Sequence, residues 1–269
     1  MYEELYAPLP DRAAYLERIG LAGEIPEPTA VWLNKLVHAQ LLHIPFDAMD
    51  VWGRGDCPSL AIEALFDKII VRHRGGYCFE LNSLFCAFLK SLGYDAYVVI
   101  VNLVGGRDFV PPPAHCAVIV TINGEKYFCD VGYGGPVPDG AVKFGGETAR
   151  GYRVIEDGCY DVLEQEAADG GFNRIMLFHD IPALPVDLEP LNFHVSQRPG
   201  SFFQAFLNLN LRLPDGSVSV FGRAFHYYTA AERVERDVRD LDDLRELLPK
   251  YFGIPADDPP LRELESTDK

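Results

Sequence analysis

The first ninety residues carry apolar positions at the spacing expected of helices. Three segments combine a capping residue at the start with apolar residues three and four positions apart. They cover residues 11–19, 28–43 and 59–70. The second segment ends at Ile44, because the residue before a proline is driven out of the helical conformation; residues 43–50 are therefore predicted to form a proline-broken turn. The pattern predicts a helical unit over residues 1–92.

A fourth helix closes this unit, and its apolar positions are strictly periodic. They are Leu81, Leu84, Phe85, Phe88, Leu89 and Leu92. Gly93 supplies the stop. The segment that leads into the helix, from Arg72 to Asn82, is interrupted by the pair Gly75-Gly76. Cys78 is therefore predicted to lie in the first helical turn.

After Gly93 the pattern changes to β-branched and aromatic runs separated by turn residues. The runs cover residues 97–104, 114–122, 125–131, 151–163, 174–178 and 202–213. A charged helix follows over residues 238–248. We therefore expect an α+β protein with a helical unit, a largely antiparallel sheet or barrel, and a small mixed α/β tail. The predicted boundaries are residues 1–92, 93–195 and 196–269.

Composition narrows the class of protein and its partners. With 269 residues, 48% of them hydrophobic, the chain can form sizeable cores, yet no run is long enough for a membrane span and no secretory signal is visible. A cytoplasmic protein is expected. The six cysteines form no CxxC pair, which predicts reduced thiols and no metal. The net charge of −16 argues against nucleic acid or an anionic membrane as the main partner, although a small anion can still bind locally.

Cys78 has the surroundings of a nucleophile. The first N–H groups of a helix lack partners and lie at the positive end of its dipole, so they favour a thiolate over a thiol. Arg72, Arg74 or a nearby imidazolium are expected to act in the same direction. The alternative is that Cys78 is a small core residue, as many free cysteines are. The glycine pair, the cations and the helix start favour the nucleophile.

A predicted hairpin brings a histidine and a carboxylate together. Asn123-Gly124 lies between two strand-like runs and favours a two-residue type I′ turn, which places Ile122 opposite Glu125. Continuing this register makes His115 and Asp130 diagonal neighbours on one face, roughly 7 to 8 Å apart at the backbone. The other face receives Cys116 and Cys129, which are therefore predicted to be core thiols.

These residues complete a set for covalent catalysis. A cysteine nucleophile needs a base that accepts its proton, and the base needs a group that fixes its tautomer and stabilises the imidazolium. Cys78, His115 and Asp130 supply this set in chain order. The remaining histidines are predicted to be structural, because they lie on or at the end of a helix, between two arginines, or in late segments with no carboxylate in a computable register. They are His38, His43, His73, His179, His194 and His226.

The motifs resemble those of the arylamine N-acetyltransferases. The resemblance rests on residues 74–82 (RGGYCFELN), on residues 44–47 (IPFD), on His115 at the start of a strand, and on residues 130–134 (DVGYG). It extends from Tyr15 to about Phe221 and is looser beyond. It implies a helical bundle, a β-barrel and an α/β lid, with a papain-like Cys-His-Asp core between the first two.

The resemblance also implies a reaction. Cys78 would take an acetyl group from acetyl-coenzyme A and pass it to an arylamine or arylhydrazine by a ping-pong mechanism. Phe46 and Tyr133 would border the acceptor pocket. Glycines of the loop that follows Asp130 would approach the coenzyme; they are Gly132, Gly134 and Gly135. Two departures affect acceptor preference: Asp47-Ala48 replaces the usual Glu-Asn, and Tyr133 stands where many relatives have Phe.

Three other functions share parts of this pattern. An amide synthase that closes a macrolactam from a carrier-bound thioester would use the same triad and fold. A thiol hydrolase remains open as well, since Cys-His-Asp order alone does not specify transfer to an amine. A binding module without catalysis is the third alternative, and the complete triad argues against it.

Overall fold

The computed structural model describes residues 2–264. The α-helices are α1 (Arg12–Arg18), α2 (Ala30–His43), α3 (Met49–Arg54), α4 (Ile62–Phe66), α5 (Cys78–Ser91), α6 (Leu188–Gln197), α7 (Phe202–Ala205) and α8 (Leu241–Leu247). Short 3-10 helices cover Glu3–Tyr6 and Pro185–Asp187, and π-helical turns cover Asp67–Val71 and Leu248–Phe252. Within the described residues, no helix is long and apolar enough to cross a lipid bilayer.

Twelve strands are present in residues 2–264. They are β1 (Phe46–Asp47), β2 (Asp95–Leu103), β3 (His115–Ile122), β4 (Glu125–Cys129), β5 (Val142–Lys143), β6 (Tyr152–Asp157), β7 (Tyr160–Glu166), β8 (Phe172–Phe178), β9 (Asn208–Leu213), β10 (Gly216–Phe221), β11 (Ala224–Tyr228) and β12 (Arg233–Asp237).

Side-chain caps start the N-terminal helices where the sequence places them. The Asp11 carboxylate accepts hydrogen bonds from two backbone N–H groups of α1, and the Thr29 hydroxyl accepts one from α2. The predicted helix over residues 59–70 is shorter than expected, because α4 begins only at Ile62 and its last turn widens into the π-helical turn. Helix α3 was not predicted.

Seven strands form a nearly closed antiparallel barrel in the order β5-β4-β3-β2-β8-β7-β6. A bridge between Phe144 and Val154 links the two ends of this sheet. The predicted strand over residues 151–163 is wrong in detail: it is a hairpin, β6 and β7, that turns at Gly158, whose φ is +66°. The α+β class and the antiparallel barrel are confirmed.

The hairpin of β3 and β4 has the predicted register. Ile122 pairs with Glu125 and Val118 pairs with Cys129. Asn123 and Gly124 both have positive φ, 53° and 82°, as a type I′ turn requires. The turn therefore determines which residues of β3 and β4 share a face.

A second sheet has the order β1-β9-β10-β11-β12 and combines both ends of the chain. Residues 43–50 were predicted as a turn, but Phe46 of β1 pairs with Asn210 of β9. Residues 202–213 were predicted as one strand, but the first four form helix α7. Both errors have the same cause: a short element adopts the conformation that its distant neighbours support, and neither neighbour is visible locally.

Three main hydrophobic clusters fill the molecule. One packs the N-terminal helices against one face of β3 and β4, the second fills the barrel, and the third joins β9–β11 to α8. Met49 and Trp52 of α3 belong to the third cluster, so an N-terminal helix packs with the C-terminal sheet. The division into residues 1–92, 93–195 and 196–269 remains a proposal; Met1 and residues 265–269 lie outside the described part.

Candidate active site

Cys78 is the first residue of α5, at the position that the glycine-broken approach predicts. Its side chain is buried, with Sγ 3.9 Å from the Ala114 carbonyl oxygen. The approach needs glycine because a Cβ at Gly75 would lie 2.0 Å from the Pro45 carbonyl oxygen, and one at Gly76 would lie 2.8 Å from the Glu80 side chain. The Glu80 carboxylate in turn accepts the Tyr77 N–H at 3.0 Å and caps the helix.

His115 and Asp130 meet as the hairpin register predicts. Nε2 of His115 lies 2.7 Å from Oδ2 of Asp130, and both side chains are buried. The other carboxylate oxygen accepts hydrogen bonds from the Gly132 N–H at 2.9 Å and from the Asn82 amide at 3.0 Å. Asp130 is therefore held on both oxygens, and its hydrogen bond fixes the orientation of the imidazole.

The electrostatics favour a charged imidazole at this position. Burial alone lowers the pKa of His115, but the charge of the Asp130 carboxylate, the hydrogen bond to it and the neighbouring Cys78 side chain raise that pKa to about 10. An imidazolium next to Cys78 stabilises a thiolate at Sγ. The arrangement therefore places a charged imidazole beside the Cys78 side chain.

The other buried cysteines lack such a partner. Cys116 and Cys129 are fully buried on the face away from His115, as predicted. Burial raises the pKa of both thiols, and it raises the pKa of Cys86 to about 11. Cys57 and Cys159 are exposed, and all six cysteines are free thiols.

A cavity of about 510 Å³ opens onto Cys78 and His115. Phe46, Tyr133 and the glycines Gly134 and Gly135 line it, together with residues from four further segments. These are Leu103, Arg107, Pro111–Ala114, Pro136, His194, Val195, Arg198, Phe202, Phe203 and Asn208. Among the described residues, no carboxylate lines this cavity, and no group of three or more His, Cys, Asp or Glu side chains could hold a metal ion.

Two of the predicted glycines, Gly132 and Gly134, have different surroundings. Gly132 lies behind the cavity, where a Cβ would come within 2.8 Å of the Cys78 Cα. Gly134 has a φ of +73°, and a Cβ there would lie 2.8 Å from the Phe46 ring. Gly132 thus permits the loop to approach the nucleophile, and Gly134 permits it to approach the cavity wall.

Comparison with known proteins identifies the family. A family model described as N-acetyltransferase matches residues 31–259. The arylamine N-acetyltransferase of Mycolicibacterium smegmatis is 30% identical over 268 residues, which cover 95% of this chain and 96% of that protein. The chain belongs to the arylamine N-acetyltransferase family. It is an enzyme that transfers acetyl groups.

Solved structures of the family have the same fold as this enzyme. The arylamine N-acetyltransferase of Mycobacterium marinum has a TM-score of 0.82 and 29% identity, over 91% of this chain and 93% of that chain. The M. marinum enzyme in complex with coenzyme A has a TM-score of 0.81 and 28% identity, with the same coverage.

Sequence reasoning missed the part of the cavity that the C-terminal region supplies. Phe202 and Phe203 lie in a run of apolar residues that predicted a strand, whereas helix α7 directs both into the cavity wall. Asn82 was quoted only as part of a motif, although its amide donates to Asp130 and its carbonyl accepts the Val131 N–H at 3.1 Å. The position of Asn82, one helical turn after Cys78, was the sequence signal that could have identified it.

The two arginines named as cations near the nucleophile contact other residues in the structure. Both pair with carboxylates, which compensate their charge. Arg74 is buried and contacts Asp47 at 2.8 Å and Asp50 at 3.2 Å, while Arg72 contacts Asp67 at 2.9 Å. Lys68 joins the buried group, which we call the ion-pair cluster: Asp47, Asp50, Lys68, Arg74 and Glu80. Of the cations expected near Cys78, the imidazole is that of His115, whose pKa is raised.

Proposed function

We propose that the enzyme transfers acetyl groups from acetyl-coenzyme A to arylamines or arylhydrazines by a ping-pong mechanism through Cys78. The observation that carries the proposal is the position of Cys78 and His115 in the wall of one largely apolar cavity, with His115 hydrogen-bonded to Asp130. The complex of the M. marinum enzyme with coenzyme A supports the choice of donor.

In the first half-reaction the Cys78 thiolate attacks the carbonyl carbon of the acetyl thioester, and a new C–S bond forms. The tetrahedral adduct collapses and breaks the bond to the coenzyme sulfur. The His115 imidazolium donates its proton to that sulfur, so free coenzyme A leaves as a thiol. Gly134 and Gly135 are the proposed loop residues beside the coenzyme, since neither carries a side chain that would narrow the cavity.

In the second half-reaction the amine nitrogen attacks the acetyl-cysteine. Neutral His115 removes a proton from the nitrogen, the C–S bond to Cys78 breaks, and Cys78 leaves as a thiolate. The ion pair of the free enzyme is thereby restored. The Asp130 carboxylate stabilises the imidazolium in both half-reactions. It also accepts a hydrogen bond from Nε2 of His115, which keeps a proton on that nitrogen throughout.

The cavity wall supplies the preference for an amine over water. Phe46 and Tyr133 are the proposed contacts of the aromatic acceptor, which they place next to the thioester. Positioning of this kind contributes several kcal/mol, about 7 to 11 kcal/mol in the best-oriented systems. Without an acceptor, the acetyl-cysteine is expected to hydrolyse slowly.

The decisive test is the release of coenzyme A from acetyl-coenzyme A, with and without a panel of aromatic amines and hydrazines. We expect slow release with the donor alone, a many-fold increase with an amine, and parallel lines in double-reciprocal plots. Mass spectrometry of the enzyme mixed with donor alone should locate one acetyl group on Cys78.

Two results would contradict the proposal. Equal release of coenzyme A with and without every amine would indicate a thioester hydrolase. An acetyl group found on Cys86, Cys116 or Cys129 of the folded enzyme would show that the nucleophile is misassigned.

A further inference from the structure

A second cavity borders α5 and has a volume of about 570 Å³. Within residues 2–264 it shares no lining residue with the active-site cavity, and we call it the second cavity. Its walls come from the N-terminal segment around the first 3-10 helix, the start of α4, α5, β2 and the link between β8 and α6. A cavity of this size can hold a small organic molecule.

One face of α5 forms a wall of the second cavity. Four residues of the helix lie at positions i, i+3, i+4 and i+7 and therefore share one side of it. They are Ser83, Cys86, Ala87 and Lys90. The first three have small side chains, which leave space that a leucine or phenylalanine would fill. The adjoining wall is fixed by the backbone, since the Ala183 N–H donates to the Val98 carbonyl at 2.8 Å.

Two polar groups of this face lack a partner within residues 2–264. The Ser83 hydroxyl is buried without a hydrogen bond, whereas nearly all buried polar groups in proteins have one. Lys90 forms no ion pair with the described residues, in contrast to four other lysines. Those four are Lys35, Lys68, Lys126 and Lys143. The second cavity therefore presents a hydroxyl and an ammonium group that are both able to donate.

The two donors can contact one ligand group. Long side chains of a helix lean toward its N-terminus, which directs Lys90 over Cys86 toward Ser83. Burial raises the pKa of the Cys86 thiol to about 11, and the charge of Lys90 opposes this increase, as expected for an ammonium group close to Cys86. Cys86 follows Ser83 by about one helical turn, roughly 5 Å. Among the described residues no carboxylate lines the second cavity, in a chain with 40 acidic and 24 basic residues. The pair of donors therefore favours an anion.

The rest of the lining is mainly aliphatic. Leucine, isoleucine, valine, alanine and proline side chains cover most of the walls. Tyr6 and Tyr97 are the two aromatic residues of the described lining, and the Tyr97 hydroxyl already donates to the Asp180 carboxylate. Tyr6 and Leu184 are exposed, which makes the entrance apolar. Because few rings are available for stacking, the walls favour a flexible aliphatic chain over a flat ring.

We propose that the second cavity binds an aliphatic carboxylate of medium chain length. The carboxylate accepts hydrogen bonds from the Ser83 hydroxyl and the Lys90 ammonium group, and the chain packs against the aliphatic walls. The site is separate from the active-site cavity, although both lie along α5. Cys78 begins this helix, and Ser83 follows it by about 8 Å along the helix axis.

The test measures binding of octanoate and of its neutral isostere octanamide by isothermal titration calorimetry, without acetyl-coenzyme A. Lys90→Met removes the charge but keeps an unbranched side chain, Ser83→Ala removes the hydroxyl, and Ala87→Leu fills part of the second cavity. Lys250→Met is the matched control, since Lys250 is an exposed lysine that does not line the cavity. Thermal unfolding of every variant shows whether the fold is retained.

We expect the unsubstituted enzyme to bind octanoate about tenfold more tightly than octanamide, because the ammonium group then pairs with a charge. Lys90→Met should abolish this preference, and Ser83→Ala should weaken octanoate binding by about threefold. Ala87→Leu should prevent binding of both ligands. Lys250→Met should leave both dissociation constants unchanged.

Three results would overturn the proposal. They are no binding of octanoate, equal binding of octanoate and octanamide, or a preference for octanoate that survives Lys90→Met. The last result would assign the carboxylate to another site, such as the active-site cavity, where Arg107 and Arg198 supply cations. If Ala87→Leu does not fold, the variants of Lys90 and Ser83 still decide the question. The measurement requires no turnover, so a failure of the proposed function would be a separate observation.

Discussion

Two buried polar clusters include residues at or just before the start of α5, and they differ in how their charges are compensated. In the ion-pair cluster, Arg74 and Lys68 each contact carboxylates and face the protein interior. In the triad of Cys78, His115 and Asp130, the chain of contacts ends at a thiol that faces a cavity. A cluster in which each charge is paired inside the protein stabilises structure. A cluster that ends at a cavity is available for chemistry.

The difference explains why the two arginines do not act on the nucleophile. A buried arginine is costly unless carboxylates surround it, and the pairing that makes Arg74 tolerable also cancels its effect on Cys78. His115 has a single carboxylate partner and can still contact the thiol.

Replacing the nucleophile should abolish turnover and leave the fold unchanged. Cys78→Ala removes the only proposed acyl acceptor, and the side chain that it loses is small. We expect no detectable release of coenzyme A in the presence of amine, with an unfolding temperature within a few degrees of the original. Cys86→Ala is the matched control, because it removes another buried thiol of the same helix and should retain turnover. Acetyl transfer by the Cys78 variant would refute the assignment.

Asp130→Asn should reduce kcat by about 10²-fold to 10⁴-fold, as expected when a triad loses the carboxylate that fixes its imidazole. The amide preserves the volume and can still accept the Gly132 N–H, so stability should change little. The same variant should slow alkylation of Cys78 by iodoacetamide, because the imidazolium loses its partner. An unchanged alkylation rate would show that Asp130 does not support the ion pair.

Breaking the ion-pair cluster should reduce stability and leave kcat unchanged, the reverse of the effect expected for the triad variants. Arg74→Met leaves the Asp47 carboxylate buried without its main partner, and we expect the free energy of unfolding to fall by about 3 to 5 kcal/mol. The folded fraction should retain its kcat, measured at low temperature. Lys35→Met, which removes an exposed pair with Glu24, should cost about 1 kcal/mol or less. A large loss of kcat at full folding would mean that the two clusters are coupled.

The smallest effect is on the pH dependence of stability, in which one residue of each cluster, Asp50 and His115, should respond at opposite ends of the pH range. Burial opposes the charge of Asp50, yet Lys68 and Arg74 lower its pKa to about 2; its stabilising contribution is therefore present above its ordinary pKa and is lost as pH falls through about 2. The pKa of His115 is raised, so its contribution is present below about 6.5 and is lost as pH rises through about 10.

Denaturant unfolding across the pH range can separate these contributions. The difference in unfolding free energy between the original enzyme and His115→Gln should shrink between pH 7 and 10, and the difference from Asp50→Asn should shrink below pH 4. The comparison uses differences between the original enzyme and a variant because the raised pKa values of Cys116 and Cys129 also reduce stability at high pH. That contribution is common to both proteins and cancels in the difference. A constant difference for His115→Gln would contradict the proposed ion pair.

The sequence predicted the elements of the site more accurately than its surroundings. The Asn123-Gly124 turn fixes a register, and a register determines which side chains share a face, so the contact of His115 with Asp130 followed from local information. The glycine pair and apolar periodicity likewise placed Cys78 at the start of α5. The roles of these residues in catalysis stay predictions until the variants are measured.

The sequence by itself determined the helix that presents Cys78 and the hairpin that joins His115 to Asp130, because turns, caps and periodicity act over a few residues. Only the tertiary structure decided that Arg74 is enclosed by carboxylates and that helix α7 forms the outer wall of the cavity. Both depend on contacts between segments more than twenty residues apart in the chain. Such contacts are selected by the packing of the whole molecule, and no local pattern encodes them.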